Sequence, residues 1–282
     1  MSKLYIVGTP IGNLGDISSR ALAVLNDVDF IAAEDTRVTA KLLAHFGIKK
    51  PLVSNHQHNA RSRAEYLADR VQGGETCALV SDAGMPCISD PGEETVRVFA
   101  DRGIPLEVIP CGSALTAALA VCGLDTSRFT FEGFLSVNKK QRAAHLDEIK
   151  AFKRTLVFYE APHKLKRTLA SFLDSLGDRN AALCRELTKI HEEVLRGRLS
   201  QLLALYETNE PRGEYVVIIE GNNDKPPPPT LSDAVDFANE LVANGAKRAD
   251  AAKTAAAEYG FHKSEIYSHI NNNNDEDTDN FR

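Results

Sequence analysis

Four short polar clusters hold the side chains best able to do chemistry. Glu34-Asp35-Thr36-Arg37 sets two carboxylates beside a guanidinium at the end of an apolar run. Asn55-His56-Gln57-His58-Asn59 follows the next apolar run. Histidines at i and i+2 can ligate a metal, but no third ligand with recognisable spacing accompanies them, so a loop that hydrogen-bonds a substrate is the better reading. Tyr159-Glu160-Ala161-Pro162-His163-Lys164 and Cys184-Arg185-Glu186-Leu187-Thr188-Lys189 each put acids and bases within five residues of a strand end. Any one of these clusters alone reads as a helix start or a solvated, salt-bridged rim. The last two, however, lie within residues 139–198, which carry 14 Lys or Arg against eight Asp or Glu in a chain of net charge −6. A basic middle in an acidic protein points to an anionic substrate.

The elements that position these clusters are strands ending in glycine- and proline-rich loops. Cys77 to Ser81 is a strand-length apolar run, followed by Asp82-Ala83-Gly84-Met85-Pro86 and then Asp90-Pro91-Gly92-Glu93. That last stretch is expected to open a helix, with Asp90 as its cap, Pro91 at the first helical position and Glu93 completing a capping box. Tyr5-Ile6-Val7-Gly8-Thr9-Pro10-Ile11-Gly12-Asn13 runs the same way into a helix near Ser18, and Pro110-Cys111-Gly112-Ser113 into a helix from Ala114 capped by Ser113. In an open α/β sheet such loops lie outside the carboxyl ends of the strands, where ligands bind. The glycine spacing is not that of a dinucleotide fingerprint, and no G-x-x-x-x-G-K-[ST] occurs, so nicotinamide and ATP chemistry lose support.

Strand and helix signals alternate through the first ~120 residues, which predicts a mostly parallel, Rossmann-like sheet over 1–115. From Phe129 the runs Phe129–Phe134, Leu156–Tyr159, Ala181–Cys184 and Tyr215–Ile219 predict a second α/β domain with a mixed sheet over 116–221. A proline-rich linker (222–230), a helix-turn-helix-like appendage (231–270) and an Asn/Asp-rich tail (271–282) expected to be disordered complete the chain. The appendage carries four Lys or Arg and six Asp or Glu, so it is either a poorly basic RNA contact or a small helical bundle. Five cysteines without a C-x-x-C pair suggest reduced thiols rather than disulfides or zinc. The absence of a signal-like start and of an 18-residue apolar run predicts a soluble, cytoplasmic protein.

The stretches Val7-Gly8-Thr9-Pro10-Ile11-Gly12-Asn13-Leu14, Ala33-Glu34-Asp35-Thr36-Arg37, Val80 to Pro86 with Ser89-Asp90-Pro91-Gly92, Phe131-Glu132-Gly133-Phe134, Phe158-Tyr159-Glu160, Arg185 to Lys189 and Gly213-Glu214 resemble one family. It is the branch of the tetrapyrrole-methylase-fold, S-adenosylmethionine-dependent methyltransferases that methylates a cytidine ribose 2′-hydroxyl in small-subunit ribosomal RNA. The resemblance spans residues ~3–221 and runs on through the appendage. It implies S-adenosylmethionine in a cleft between the two α/β domains, 16S ribosomal RNA or the small subunit as substrate, no metal, and a homodimer. It further implies that Pro10 contacts the cofactor, that the loop bearing Ser81, Asp82, Ala83, Gly84, Pro86 and Ile88 holds its methionine part, that Ser113 and Ala114 help enclose it, and that Phe134, Glu214 and Val216 approach the adenosine. The loop Pro110-Cys111-Gly112-Ser113 departs from the family's Pro-Gly-Pro pattern. A ribose hydroxyl is a weak nucleophile, so a base or a cation should assist. Asp35 or Glu160 is expected to orient or deprotonate it, His56 to hydrogen-bond the substrate, and Arg37, Lys164, Arg185 and Lys189 to hold phosphates. A tetrapyrrole carbon methylase and a non-catalytic ribosome-assembly factor are the alternatives. The Glu34–Arg37 cluster and the appendage argue against the first.

Overall fold

The computed structural model describes residues 2–56, 60–223 and 229–270. The chain forms two compact units, residues 1–222 and 223–282. The first contains two five-stranded sheets.

The N-terminal sheet comprises β1 (Leu4–Val7), β2 (Phe30–Ala33), β3 (Leu52–Ser54), β4 (Cys77–Val80) and β5 (Leu106–Ile109), in the order β3-β2-β4-β1-β5. Every pairing is parallel. The strands are short apolar runs because both faces are covered, which removes any need for polar alternation. Leu4, Phe30, Ala32, Cys77 and Leu79 face one core with α3 (Ala60–Gln72) and α4 (Glu93–Asp101). Val7, Ile31, Ala33, Ala78 and Val80 face the other with α1 (Ser19–Asp27) and α2 (Thr36–His45). The chain leaves β1 toward β2 and returns past it from β4 to β5, so the ends of β1 and β4 lie side by side at a topological switch point.

The C-terminal sheet comprises β6 (Phe129–Phe134), β7 (Thr155–Glu160), β8 (Asn180–Arg185), β9 (Glu193–Arg198) and β10 (Tyr215–Ile219), in the order β6-β7-β10-β8-β9. It is mixed: β6 pairs parallel with β7, and the other pairings are antiparallel. β9 was not legible in the sequence, because its charged residues sit on an edge strand with one neighbour. One face packs α6 (Lys139–Ile149), α7 (Pro162–Leu176) and α8 (Leu199–Ala204) around Leu156, Phe158, Leu183 and Val217. The other, carrying Val157, Ala182, Cys184, Val216 and Ile218, is partly covered by α5 (Ala114–Val121).

Two expected helix starts differ in detail. α4 begins at Glu93 with Gly92, not Asp90, as its N-cap, and no side chain caps it. Gly92 at φ 136° bends the chain away before the helix and leaves Asp90 outside it. Ser113 does occupy the N-cap of α5, but its side chain makes no cap bond, and the Tyr159 hydroxyl accepts from the Leu115 N–H at 3.0 Å instead.

The second unit is a three-helix bundle of α9 (Leu231–Ala243), α10 (Arg248–Tyr259) and α11 (Lys263–His269), with a core of Ala234, Ala238, Ala251, Ala252, Ala255, Ile266 and Ile270. Most of the linker and the whole tail lie outside the described residues. Among the described residues, no helix is long and apolar enough to cross a membrane.

The C-terminal sheet depends on Phe158, fully buried with its ring 4.6 Å from that of Phe172. Phe158→Ala is expected to lower stability by about 3–5 kcal/mol, read as an earlier urea midpoint for the transition that reports the two sheets.

Candidate active site

Three loops from the N-terminal sheet meet at its carboxyl edge. The backbones of Thr9 and Gly84 pair in both directions, Thr9 N–H donating to Gly84 O at 2.8 Å and Gly84 N–H to Thr9 O at 3.0 Å. The Thr9 hydroxyl donates to Ser81 O at 3.2 Å, and Gly8 N–H donates to Ile109 O at 2.9 Å. The loops after β1, β4 and β5 are thereby fastened together. Gly8 fills the point of closest approach: a Cβ there would lie 2.6 Å from Met85 Sδ and 2.7 Å from Cys111 Cβ. Gly84, at φ 80°, makes the turn that brings its own backbone to Thr9.

Above these loops lies a cavity of about 470 Å³, walled on its far side by the partly uncovered face of the C-terminal sheet. Of the residues expected around a cofactor, Ala83, Gly84, Ile88, Ser113, Ala114, Phe134, Glu214 and Val216 line it. Pro10, Ser81 and Pro86 are buried and absent from its wall, and Asp82 is solvent-exposed beside it. Asp82 ties β2 to β4 instead: its Oδ1 accepts from Asp35 N–H at 3.1 Å, and its own N–H donates to Glu34 Oε2 at 3.2 Å. Ile11, Met85, Ser89, Asp90, Tyr159, His163, Glu186 and Leu187 also line the cavity and were not singled out as cofactor or substrate contacts. For Tyr159 and Leu187 the available signal was proximity to a strand end; for Asp90 it was obscured by the apparent capping box.

The backbone is strained here. The only non-glycine residues with positive φ among those described are Cys87 (72°), Ser89 (63°), Glu186 (50°) and Thr188 (67°), in two loops that both reach the cavity. Such conformations persist only where the surroundings impose them, and they gather at ligand sites. The two halves also touch: a Cβ on Gly12 would lie 2.5 Å from Lys189 Cγ. Phe134 and Phe131 stack edge-on against Tyr159, with centroids 5.7 and 4.8 Å away.

The two expected catalytic carboxylates are both engaged. Asp35 caps α2 through Arg37 N–H at 2.8 Å and holds the Arg37 guanidinium through both of its oxygens. Those bonds keep its carboxyl well below the usual carboxylate range, and Asp35 is absent from the cavity wall. Glu160 lies at the wall but is only 3% exposed, and its oxygens accept from Ala161 N–H at 2.8 Å and Thr168 Oγ1 at 2.6 Å, sealing the start of α7. The expected phosphate-holding cations are dispersed. Lys189 lines the cavity but bridges Glu186 and Glu214 at 3.0 Å each, Arg185 pairs with Glu193, and the largely exposed Arg37 pairs with Asp35. Lys164, half-buried, makes no ion pair among the described residues. His56 is exposed and lines a second, smaller cavity of about 300 Å³, while His58 lies outside the described residues. No group of three potential metal ligands occurs among the described residues.

A family profile described as Tetrapyrrole (Corrin/Porphyrin) Methylases matches residues 3–203, the class that two α/β sheets flanking such a cavity define. Two solved structures share the fold. A diphthine synthase superposes with a TM-score of 0.60 at 16% identity, covering 77% of this chain and 89% of its own. A uroporphyrin-III C-methyltransferase from Thermus thermophilus, complexed with S-adenosylhomocysteine, gives 0.55 at 20% identity over 77% of this chain and 97% of its own. At the sequence level, the ribosomal RNA small subunit methyltransferase I of Halalkalibacterium halodurans is 45% identical over 269 residues, 94% of this chain and 93% of that protein. The chain belongs to this methylase family, in the branch of the ribosomal RNA small subunit methyltransferases I.

Gly8→Ala is expected to destabilise the protein by about 1–3 kcal/mol, measured by urea unfolding, since backbone, Met85 and Cys111 cannot all retreat from the added methyl. Unchanged stability would mean that the three loops are not locked together.

Proposed function

We propose that the protein transfers a methyl group from S-adenosylmethionine to the ribose 2′-hydroxyl of a cytidine in the decoding region of 16S ribosomal RNA. The observation that carries this reading is the meeting of the β1, β4 and β5 loops beneath a cavity backed by the second sheet, in a chain 45% identical to a named ribosomal RNA methyltransferase. The cavity volume lies within the range of pockets that enclose a ligand of this size. Ala83, Gly84, Ser113 and Ala114 offer loop backbone on one side, and Phe134, Tyr159 and Val216 an apolar and aromatic surface suited to a purine on the other. When bound, the cofactor supplies an electrophilic methyl group on a sulfonium.

The chain's own residues then have two tasks, alignment and exclusion of water. Ile11, Met85, Leu187 and Val216 belong to the apolar part of the wall, and Lys189, packed beside Gly12, lines it as well. The Lys189 bridge to Glu186 and Glu214 holds the loop after β8 against that before β10. The RNA is expected to lie along the basic 139–198 segment, where Lys164 is available to a phosphate. The setting is the cytoplasm, and the assembly a homodimer, to which the exposed Leu106 and Val108 on edge strand β5 lend support.

Calorimetric titration with S-adenosylmethionine should show saturable binding, and its absence would leave only a scaffold role. Mass spectrometry of ribosomal RNA from cells lacking the gene should find one cytidine ribose methyl missing and restored by the purified protein. Unaltered RNA would overturn the reading.

A further inference from the structure

Fourteen Lys and Arg side chains make the 139–198 segment basic, and the fold sorts them into three groups. Arg179 and Arg196 are held by backbone carbonyls, and Lys150, Arg185, Lys189 and Arg198 by carboxylates. Lys153 and Arg154 precede β7, at the sheet edge away from the cavity. The remaining six lie at 139–142 and 164–167, in the first two turns of α6 and α7. β6 and β7 are parallel neighbours, and these helices follow them onto the same face of the sheet, so both start at its carboxyl edge. That edge carries Phe134, Glu160, Ala161, Pro162 and His163 of the large cavity's wall.

The charge on the two helices runs against their own stability. A helix favours acids in its first turn and cations in its last. α6 and α7 have neither an acid in the first turn nor a cation in the last, and residues 135–146 and 161–173 contain no Asp or Glu. Their acids, Asp147, Glu148 and Asp174, sit at the far ends. Five of the six cations, Lys139, Lys140, Lys164, Lys166 and Arg167, make no ion pair or side-chain hydrogen bond among the described residues. The sixth, Arg142, is buried and donates to Ser136 O at 3.1 Å and Val137 O at 3.3 Å. It fixes the loop on which Val137 stands 62% exposed. On α7, Lys166 follows His163 by one turn and Arg167 follows Lys164, so two rows of charge lead away from the cavity mouth. Local rules broken in the same sense on two neighbouring elements mark a surface shaped for a ligand, here a polyanion.

We infer that the starts of α6 and α7 form the surface that holds the RNA strand: Lys139, Lys140, Lys164, Lys166 and Arg167 contact the phosphates beside the nucleotide that enters the cavity, with Val137 against an adjoining base or ribose. The inference rests on the RNA-methylation reading above for the identity of the polyanion, and it narrows the basic segment to one edge of one sheet. Arg185, Lys189 and Arg198 are left to brace their own loops. Phosphate contacts carry no sequence information, so this surface sets where the strand runs, and the cavity sets which nucleotide reacts.

The test is equilibrium binding of the full-length protein to fluorescently labelled small-subunit particles from cells lacking the gene, over a series of KCl concentrations, with single-turnover methyl transfer followed in parallel. Lys166→Ala with Arg167→Ala, and separately Lys139→Ala with Lys140→Ala, should each weaken binding about 10-fold and flatten the slope of log K against log salt by about 1.4, the amount for two single-strand phosphate contacts. The transfer rate at saturating protein should stay within about 3-fold of wild type, because binding alone is lost. S-adenosylhomocysteine affinity and melting temperature should not fall, since none of these side chains holds the fold. Lys166→Arg with Arg167→Lys, which keeps both charges, should bind like the wild type. Lys49→Ala with Lys50→Ala, at the amino edge of the first sheet, reports net charge alone and should leave the slope unaltered. Unchanged affinity and slope in both α6 and α7 pairs, or an equal loss in the Lys49 and Lys50 pair, would overturn the inference. A wild type that binds the particles but transfers no methyl, with binding still lost in the two pairs, sinks the methylation reading and keeps the surface. Transfer by a protein whose binding ignores both pairs does the reverse, and a wild type that does not bind the particles overturns both.

Discussion

The site depends on the reciprocal backbone pair between Thr9 and Gly84. β1 and β4 are neighbours in a parallel sheet, so their C-terminal loops leave the same edge side by side, and ordinarily would diverge toward their helices. The pair turns the two loops into a short antiparallel ladder, and Met85 and Cys111 close over the gap that glycine leaves at position 8. This is a constraint of size as much as of hydrogen bonding. The floor exists because one residue has no side chain, and the Met85 thioether with the Cβ and backbone of Cys111 occupy the space that a side chain would take.

The second sheet answers a different requirement. Its inner face is too wide for α5, and what the helix leaves uncovered becomes the cavity wall. An apolar face open to water would normally be a liability, but a concave one bordered by polar loop ends is a ligand site. The charges at its rim are mostly closed on themselves: Lys189 on Glu186 and Glu214, Arg185 on Glu193. These pairs serve the loops first. An incoming polyanion meets a rim with few free cations, which shifts the work of binding onto the wider basic segment around it.

The strands of the first sheet were legible because buried parallel strands are plain apolar runs, and the helices α2 to α4 because a glycine follows the end of each one. The edge strand Glu193–Arg198 was not, since a half-solvated edge carries the composition of a loop. Asp90-Pro91-Gly92-Glu93 reads as a capping box in sequence whichever way Gly92 turns, and only its φ of 136° separates a cap from a residue standing free. The same holds for the acids. Asp35 and Glu160 look available as letters, and it takes three dimensions to find Arg37 and Thr168 already bonded to them. The positions expected around the cofactor sort in a similar way: Gly84 and Ser113 line the cavity, while Pro10 and Pro86 are buried away from its wall.

The left-handed backbone at Cys87, Ser89, Glu186 and Thr188 has a bearing on how this protein could be improved. Each such residue holds back roughly 1 kcal/mol or more from the folded state; at Ser89 and Thr188, whose side chains close no ion pair and belong to no core cluster, glycine or asparagine would raise the melting temperature. Selection for heat resistance alone would therefore be drawn first to the walls of the cleft. It would soften the loops whose rigidity the chemistry uses, and a variant library screened only for survival at high temperature would be enriched in sturdy, sluggish enzymes.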